Sequence, residues 1–393
     1  MGLTRIEPAR LEELMSETAV PGRTRRTSGR LADGRPVGQM SGDRGTGRHL
    51  ASSYTDLTRR VREEGLLGRT LGFYLLLSAG LILALGGAIA GLLLLGDSWW
   101  QLMIAAVLGV IFSQFGFLGH EAAHRQIFTT GKTNDRVGQL LGTALAGISH
   151  SWWTNKHSRH HANPNRIGKD PDIEGEALAF YEAKAERRRG LSAMIARKQG
   201  YLFFPMLTLE GINLHFASVR FLLSPASPAK SRWLELGLIT GRFLLYLGLL
   251  FWVLPMGLAL AFLGVQLAVV GIYLGATFAP NHKGMPIIPA GTKLDFLSRQ
   301  VLTSRNIKGR FWPTVLMGGL NYQIEHHLFP SMPRPHLARA RQLVKAHCQD
   351  LGVPYTEVSL ARSYATVISY LNRVGLAARD PFVCPVASRL GRD

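Results

Sequence analysis

Three short segments of this chain place histidines where they could share a metal. "HEAAH" sets His120 and His124 at i and i+4, and "HSRHH" sets His157, His160 and His161 at i, i+3 and i+4. "QIEHH" repeats those offsets with Gln323, His326 and His327. On a helix, such offsets bring side chains to one face with Cβ atoms about 6 Å apart, close enough to serve one ion or two neighbours. Imidazole nitrogen suits iron, zinc and copper, whereas harder cations favour carboxylates. The seven clustered histidines are more than one tetrahedral zinc takes, so a two-metal centre is the economical reading. His282, in "FAPNHKGM", joins them by its place just past an apolar run. Metal-binding imidazoles need acceptors for their second N–H; Asn155, Asp170, Asp172 and Glu325 are near enough in sequence to serve. His49, His150, His215, His336 and His347 stand outside any cluster and read as structural or surface groups.

The apolar runs supply a frame for these clusters. Residues 71–95 carry no charge and would make roughly 37 Å of helix, enough to cross a bilayer with tilt. After "GDS" a second run covers 99–118 and opens on Trp99 and Trp100, residues suited to a membrane interface. A second hairpin is expected at 233–253 and 256–279, turning near Pro255. Apolar pieces at 137–149, 201–223 and 311–322 are too short or too mixed to span and read as interfacial or re-entrant helices. The expected fold is an all-α integral membrane protein. It has four transmembrane helices in two hairpins, interfacial helices, and a cytoplasmic histidine-rich di-metal cap.

Composition limits the alternatives. The formal charge is +19, yet no zinc-finger spacing or RNA-binding aromatic motif accompanies it, so nucleic acid is not an expected partner. Every lysine and arginine except Arg242 lies in 1–69, 125–232 or 280–393. The positive-inside rule then places both termini and all histidine clusters in the cytoplasm. Residues 1–55 form a basic leader, rich in Arg, Gly, Ser and Thr, that is expected to be disordered and lacks a secretory apolar core. Residues 56–350 form the membrane domain and 351–393 a cytoplasmic C-terminal extension. Cys348 and Cys384, the only cysteines, make neither a CxxC pair nor a disulfide framework and read as free thiols.

"HEAAH", "HSRHH" and "QIEHH", in that order around two hairpins, resemble the three histidine boxes of membrane fatty-acid desaturases across most of residues 70–350. "HSWWTNKHSRHHANPNRIGKDPDI" and "RNIKGRFWPTVLMGGLNYQIEHHLFP" are similar to the bacterial acyl-CoA or acyl-lipid branch. Gln323 in the third box resembles front-end members, where glutamine replaces a histidine. The resemblance implies a bacterial cell-membrane enzyme that uses two irons, O2 and two electrons to place a cis double bond in an acyl chain. It implies His120, His124, His157, His160, His161, His326 and His327 as iron ligands. It adds His282 after the fourth span, with Gln323 binding through water or only orienting. Members often carry a fused haem domain of the cytochrome b type; this sequence shows no His-Pro-Gly-Gly signature, so a separate donor such as a ferredoxin with its reductase is expected.

The chemistry agrees independently. An unactivated methylene has neither an acidic proton nor a leaving group, so it calls for a redox metal rather than acid–base catalysis. An acyl chain needs a long apolar channel, and its head group needs basic residues outside. Lys156, Arg159, Lys169, Arg305 and Lys308 are available. Hydroxylation or ketolation on the same scaffold is the nearest rival. A membrane zinc hydrolase would need fewer histidines and an open water position.

Overall fold

The computed structural model describes residues 44–377. Among the described residues, four single helices are long and apolar enough to cross a membrane: α2 (Leu71–Leu95), α3 (Gln101–Ala123), α8 (Arg232–Val253) and α9 (Met256–His282). Their bounds match the expected runs, with α3 and α9 extended by a turn so that each carries histidine at its end. The pairs are not equivalent. Only 11% of the apolar window is buried in α2 and in α8, against 56% in α3 and 39% in α9. Thus α3 and α9 form the centre, and α2 and α8 turn Leu76, Leu83, Leu94, Leu244 and Leu245 outward. The first hairpin is closed by Gln101, whose buried amide donates to the carbonyls of Leu92 (2.9 Å) and Gly96 (3.0 Å). Pro255 caps the start of α9.

Between the hairpins, α4 (Gly131–Gly138) runs directly into a π-helix at Gln139–Leu145, and α5 (His150–Ala162) follows. α6 (Gln199–Leu207) and α7 (Glu210–Leu223) are together long and apolar enough to span but meet at a 72° bend, so 201–223 is a re-entrant piece, as expected, or a broken span. Gly211 and Gly271 let α7 and α9 touch backbone to backbone: a Cβ on Gly211 would overlap the Leu267 carbonyl, and one on Gly271 the Gly211 amide nitrogen as well as the Leu207 carbonyl at the end of α6. Small residues serve membrane helix packing in this way. Gly271→Leu should therefore part the two helices and destabilise the fold by about 1–3 kcal/mol. Thermal unfolding in detergent reads this as a lowered midpoint; an unchanged midpoint would refute the contact.

Two boundaries differ from expectation. The leader expected to be disordered to residue 55 is helical from Arg44, as α1 (Arg44–Glu63). The reason is a short apolar face: Leu57 and Val61 are fully buried, and the Tyr54 hydroxyl donates to the Leu328 carbonyl at 2.8 Å. The rest of the leader, and Cys384, lie outside the described residues. The chain beyond residue 350 is also not an appendage as far as Ala377. β1 (Asn306–Ile307) pairs in parallel with β2 (Glu357–Val358). α12 (Leu360–Ala377) buries Val367, Leu371 and Val374 against Phe203 and Leu207 of α6. Before them, α10 (Gln323–Leu328) and α11 (Leu337–Leu351) complete the cap, with Cys348 buried and free.

Candidate metal centre

Eight histidines converge where α3, α5, α9 and α10 end together. They fall into two sets, each with ligand atoms within 4.8 Å of one another: His120, His124, His157, His161 and His326 in one, and His160, His282 and His327 in the other. The sequence boxes do not map one to one onto these sets. Successive residues on a helix point about 100° apart, so "HSRHH" sends His157 and His161 to the first set and His160 to the second. His326 and His327 part in the same way. Gln323 falls beside the smaller set, its Nε2 at 2.9 Å from His282 Nε2 and its Oε1 accepting from Asn281 Nδ2 at 3.0 Å.

The donor atoms fit a metal. Two nitrogens about 2.1 Å from one ion and at right angles to it would lie about 3.0 Å apart. The observed Nε2–Nε2 separations are 2.9 Å for His120–His157 and 3.0 Å for His157–His161. In the smaller set, each ring has its Nδ1 against an acceptor: His160 on Asp170 Oδ1 (2.9 Å), His282 on the Thr303 carbonyl (2.9 Å), and His327 on Gln300 Oε1 (3.0 Å). An Nδ1–H in that contact leaves Nε2 as a bare lone pair facing inward. The Nε2 atoms of His124, His326 and His327 are buried without any hydrogen-bond partner. Orphaned buried acceptors of this kind are costly unless something binds them.

Electrostatics point the same way. Burial, followed by the charge of neighbouring imidazoles, pushes His157, His161, His326 and His327 far below the usual range; His124 falls to about 3. These rings are therefore neutral bases at physiological pH. His160 is the exception: burial pulls it down, but the Asp170 and Asp172 charges more than offset that and raise it.

Of the residues expected to orient the imidazoles, Asp170 does so. It is fully buried, and besides His160 it accepts from the backbone N–H groups of Asn165 (2.7 Å) and Asp172 (2.9 Å). Asp172 stands 3.4 Å from His160 Nδ1 and pairs with Lys156. Glu325 does not orient a histidine: it turns away from the cage to accept from Tyr355 and Asn306, each at 2.7 Å, and burial raises its carboxyl to about 7. Asn155 makes no hydrogen bond to the cage among the described residues. Arg305 is not available to a head group, since it is buried and donates to the carbonyls of Pro280 and Lys283. The isolated histidines act structurally where described: His336 meets the Leu66 carbonyl, His347 meets Ser53, His215 meets the Gly211 carbonyl, and His150 faces Asp135.

Sequence reasoning missed Gln300, Thr303, Glu121 and Arg334. Gln300 also donates to the His161 carbonyl at 2.9 Å, so one amide ties the second box to the third. Nothing in its local pattern marks it. Glu121 and Arg334 form a buried bidentate pair with both contacts at 2.7 Å. An ionisable residue at the end of an apolar span was the available signal. Asp170→Asn should weaken metal binding about 10- to 100-fold, the usual effect of losing such a partner, as measured by chelator competition. Wild-type retention of metal would contradict the role given to Asp170.

A cavity of about 830 Å³ adjoins the cage and touches His120, His157, His160, His282 and Gln323. Trp153, stacked on His157 at 4.8 Å, and Phe278 form its wall beside the histidines. Leu214, Leu274 and Phe117 line an apolar stretch, and Lys156, Asp172, Glu210 and Lys283 gather at a charged mouth.

Fold and site thus define a helical multi-span membrane protein with a buried histidine cage open to an apolar cavity. A family model described as fatty acid desaturase matches residues 97–359, and the chain belongs to that family. It is 32% identical to the acyl-lipid (9-3)-desaturase of Physcomitrium patens, over 72% of this chain and 56% of that protein. The chain therefore spans little more than half of that relative's length. It is 27% identical to the Delta(6)-fatty-acid desaturase fat-3 of Caenorhabditis elegans, over 83% of this chain and 75% of that protein. It is also 30% identical to the Delta(5) fatty acid desaturase fat-4 of the same organism, over 78% and 70%.

Proposed function

We propose that this protein is an O2-dependent desaturase that places a cis double bond in a fatty acyl chain at two irons held by the histidine cage. The observation that supports this most is the two histidine sets, with lone pairs turned inward, beside a largely apolar cavity. In net terms a –CH2–CH2– unit, O2, two electrons and two protons become –CH=CH– and two waters. Bound iron would supply the oxygen chemistry needed to take hydrogen from an unactivated methylene.

His120, His124, His157, His161 and His326 would hold one ion; His160, His282 and His327 would hold the other, with Gln323 beside them binding through water or orienting His282. Asp170, Thr303 and Gln300 fix three imidazoles with their Nδ1 atoms engaged. Trp153 and Phe278 keep the reacting carbons in a dry section of the channel, where position rather than acid–base chemistry decides the outcome. The charged mouth lies directly against His160 through Asp172. A head group bound there would leave the carboxyl end of the chain near the cage, which supports a double bond toward that end, as the Delta(5) and Delta(6) names of relatives suggest. We place the site and both ends of the chain on the cytoplasmic side, and electrons would come from a separate donor such as a ferredoxin with its reductase.

The test is expression in a desaturase-deficient host with fatty-acid profiling by mass spectrometry. A new unsaturated species is the expected result. A hydroxylated product would move the assignment to the rival reaction, and an unchanged profile from a metal-loaded protein would refute it.

A further inference from the structure

Six glycines face the cavity beside the cage: Gly116, Gly119, Gly138, Gly142, Gly175 and Gly275. Gly175 is exposed near the charged mouth. Three of the others are glycine because packing demands it. A Cβ on Gly138 would overlap the His150 ring, one on Gly275 would overlap Leu207, and one on Gly119 would lie 3.0 Å from Gly142 Cα. Gly116 and Gly142 differ. A Cβ at Gly116 would come no nearer than 3.8 Å to a neighbouring side chain, and one at Gly142 would stand 3.7 Å from the backbone of Gly119 and Ile148. Neither has a left-handed backbone that would exclude other residues. The fold does not need glycine at these two positions, so the space they leave belongs to the cavity.

Their place gives that space a meaning. Gly116 precedes His120 by four residues, so it shares its face of α3, about 6 Å closer to the Gln101 end. Lys283 and Asp172 of the charged group stand past His282 at the end of α9, whereas Gly116 faces Leu274, eight residues earlier in that helix. Gly142 belongs to the π-helix and faces Gly119 across the same wall. Pi-helical turns recur at functional sites because they displace one stretch of backbone from its regular path.

We propose that Gly116, together with Gly142, sets the length of acyl chain this protein accepts, by leaving room for the section of chain beyond the cage. The inference rests on the desaturase reading above. A Cβ at Gly116 makes only ordinary contact with Leu274, so a side chain there would enter that section. One methylene in an apolar pocket discriminates about 10- to 200-fold, so a leucine there should change chain-length preference by at least about tenfold.

The experiment compares wild type, Gly116→Leu, Gly116→Ala and Gly80→Leu in the deficient host, fed a series of acyl chains of increasing length. Gly80 is an exposed position on α2 with open space around it and serves as the control. Product from the longest chains should fall at least about tenfold relative to the shortest in Gly116→Leu, less in Gly116→Ala, and not at all in Gly80→Leu. Equal ratios in wild type and in a Gly116→Leu protein that keeps its metal and its thermal midpoint would overturn the proposal. If the leucine variant does not fold, equal ratios in Gly116→Ala would overturn it. Thermal stabilisation of the purified proteins by saturated acyl-CoA thioesters of the same lengths is read in parallel. A length dependence that shifts in the Gly116 variants supports the proposal even if wild type makes no product. Absence of that shift counts against the channel wall and not against the reaction.

Discussion

Replacing His327 by alanine is expected to lower bound iron from two ions per chain to one and to remove the unsaturated product. The cage is asymmetric. The smaller set holds only His160, His282 and His327, so losing one imidazole leaves two, with Gln323 as the remaining neighbour. An amide oxygen is a poorer donor than imidazole for iron. The larger set has five imidazoles, and His124→Ala there leaves four, enough for one ion in tetrahedral coordination. His124→Ala should therefore keep more metal than His327→Ala. Product formation with His327→Ala should drop by more than about 100-fold, beyond what loss of an orienting partner causes. Metal analysis and lipid profiling of the two variants together check this. Equal iron loss in both would contradict the division into sets.

The second large effect is on stability. Glu121 lies beside His120 on α3, and its carboxylate is almost fully buried against Arg334. The Tyr74 hydroxyl accepts from the Arg334 backbone N–H at 3.1 Å and donates to Gln126 at 3.2 Å; Gln126 in turn reaches the Pro330 carbonyl at 2.7 Å. This network ties the first histidine box to the segment after the third. Glu121→Gln leaves a buried guanidinium without its counter-charge, and breaking such a pair costs about 3–5 kcal/mol. The double variant Glu121→Leu with Arg334→Met removes both charges and should recover most of that loss. Thermal unfolding in detergent measures both. A single variant as stable as wild type would show that the pair carries no weight.

Why the spans were legible and the cage only partly so follows from the physics of each. The four spans depend on local composition, and Leu71–Leu95 is read to the residue because nothing but its own apolarity defines it. The histidines were legible because helical offsets of three and four carry over directly into three dimensions. Their division into five and three was not, because it depends on how α5 and α10 are rotated against α3 and α9. Gln300 and Thr303 act through an amide and a backbone carbonyl, groups that leave no mark in a sequence. Glu325 failed as an orienting group because it sits next to His326 in sequence yet points the other way, toward Tyr355. α1 was missed because its burial depends on partners far along the chain, with Tyr54 reaching Leu328.

Metal content of the purified chain, measured by inductively coupled plasma mass spectrometry, tests the central claim most directly. The account predicts two irons per chain and little zinc. A single zinc per chain, with no iron, would contradict it.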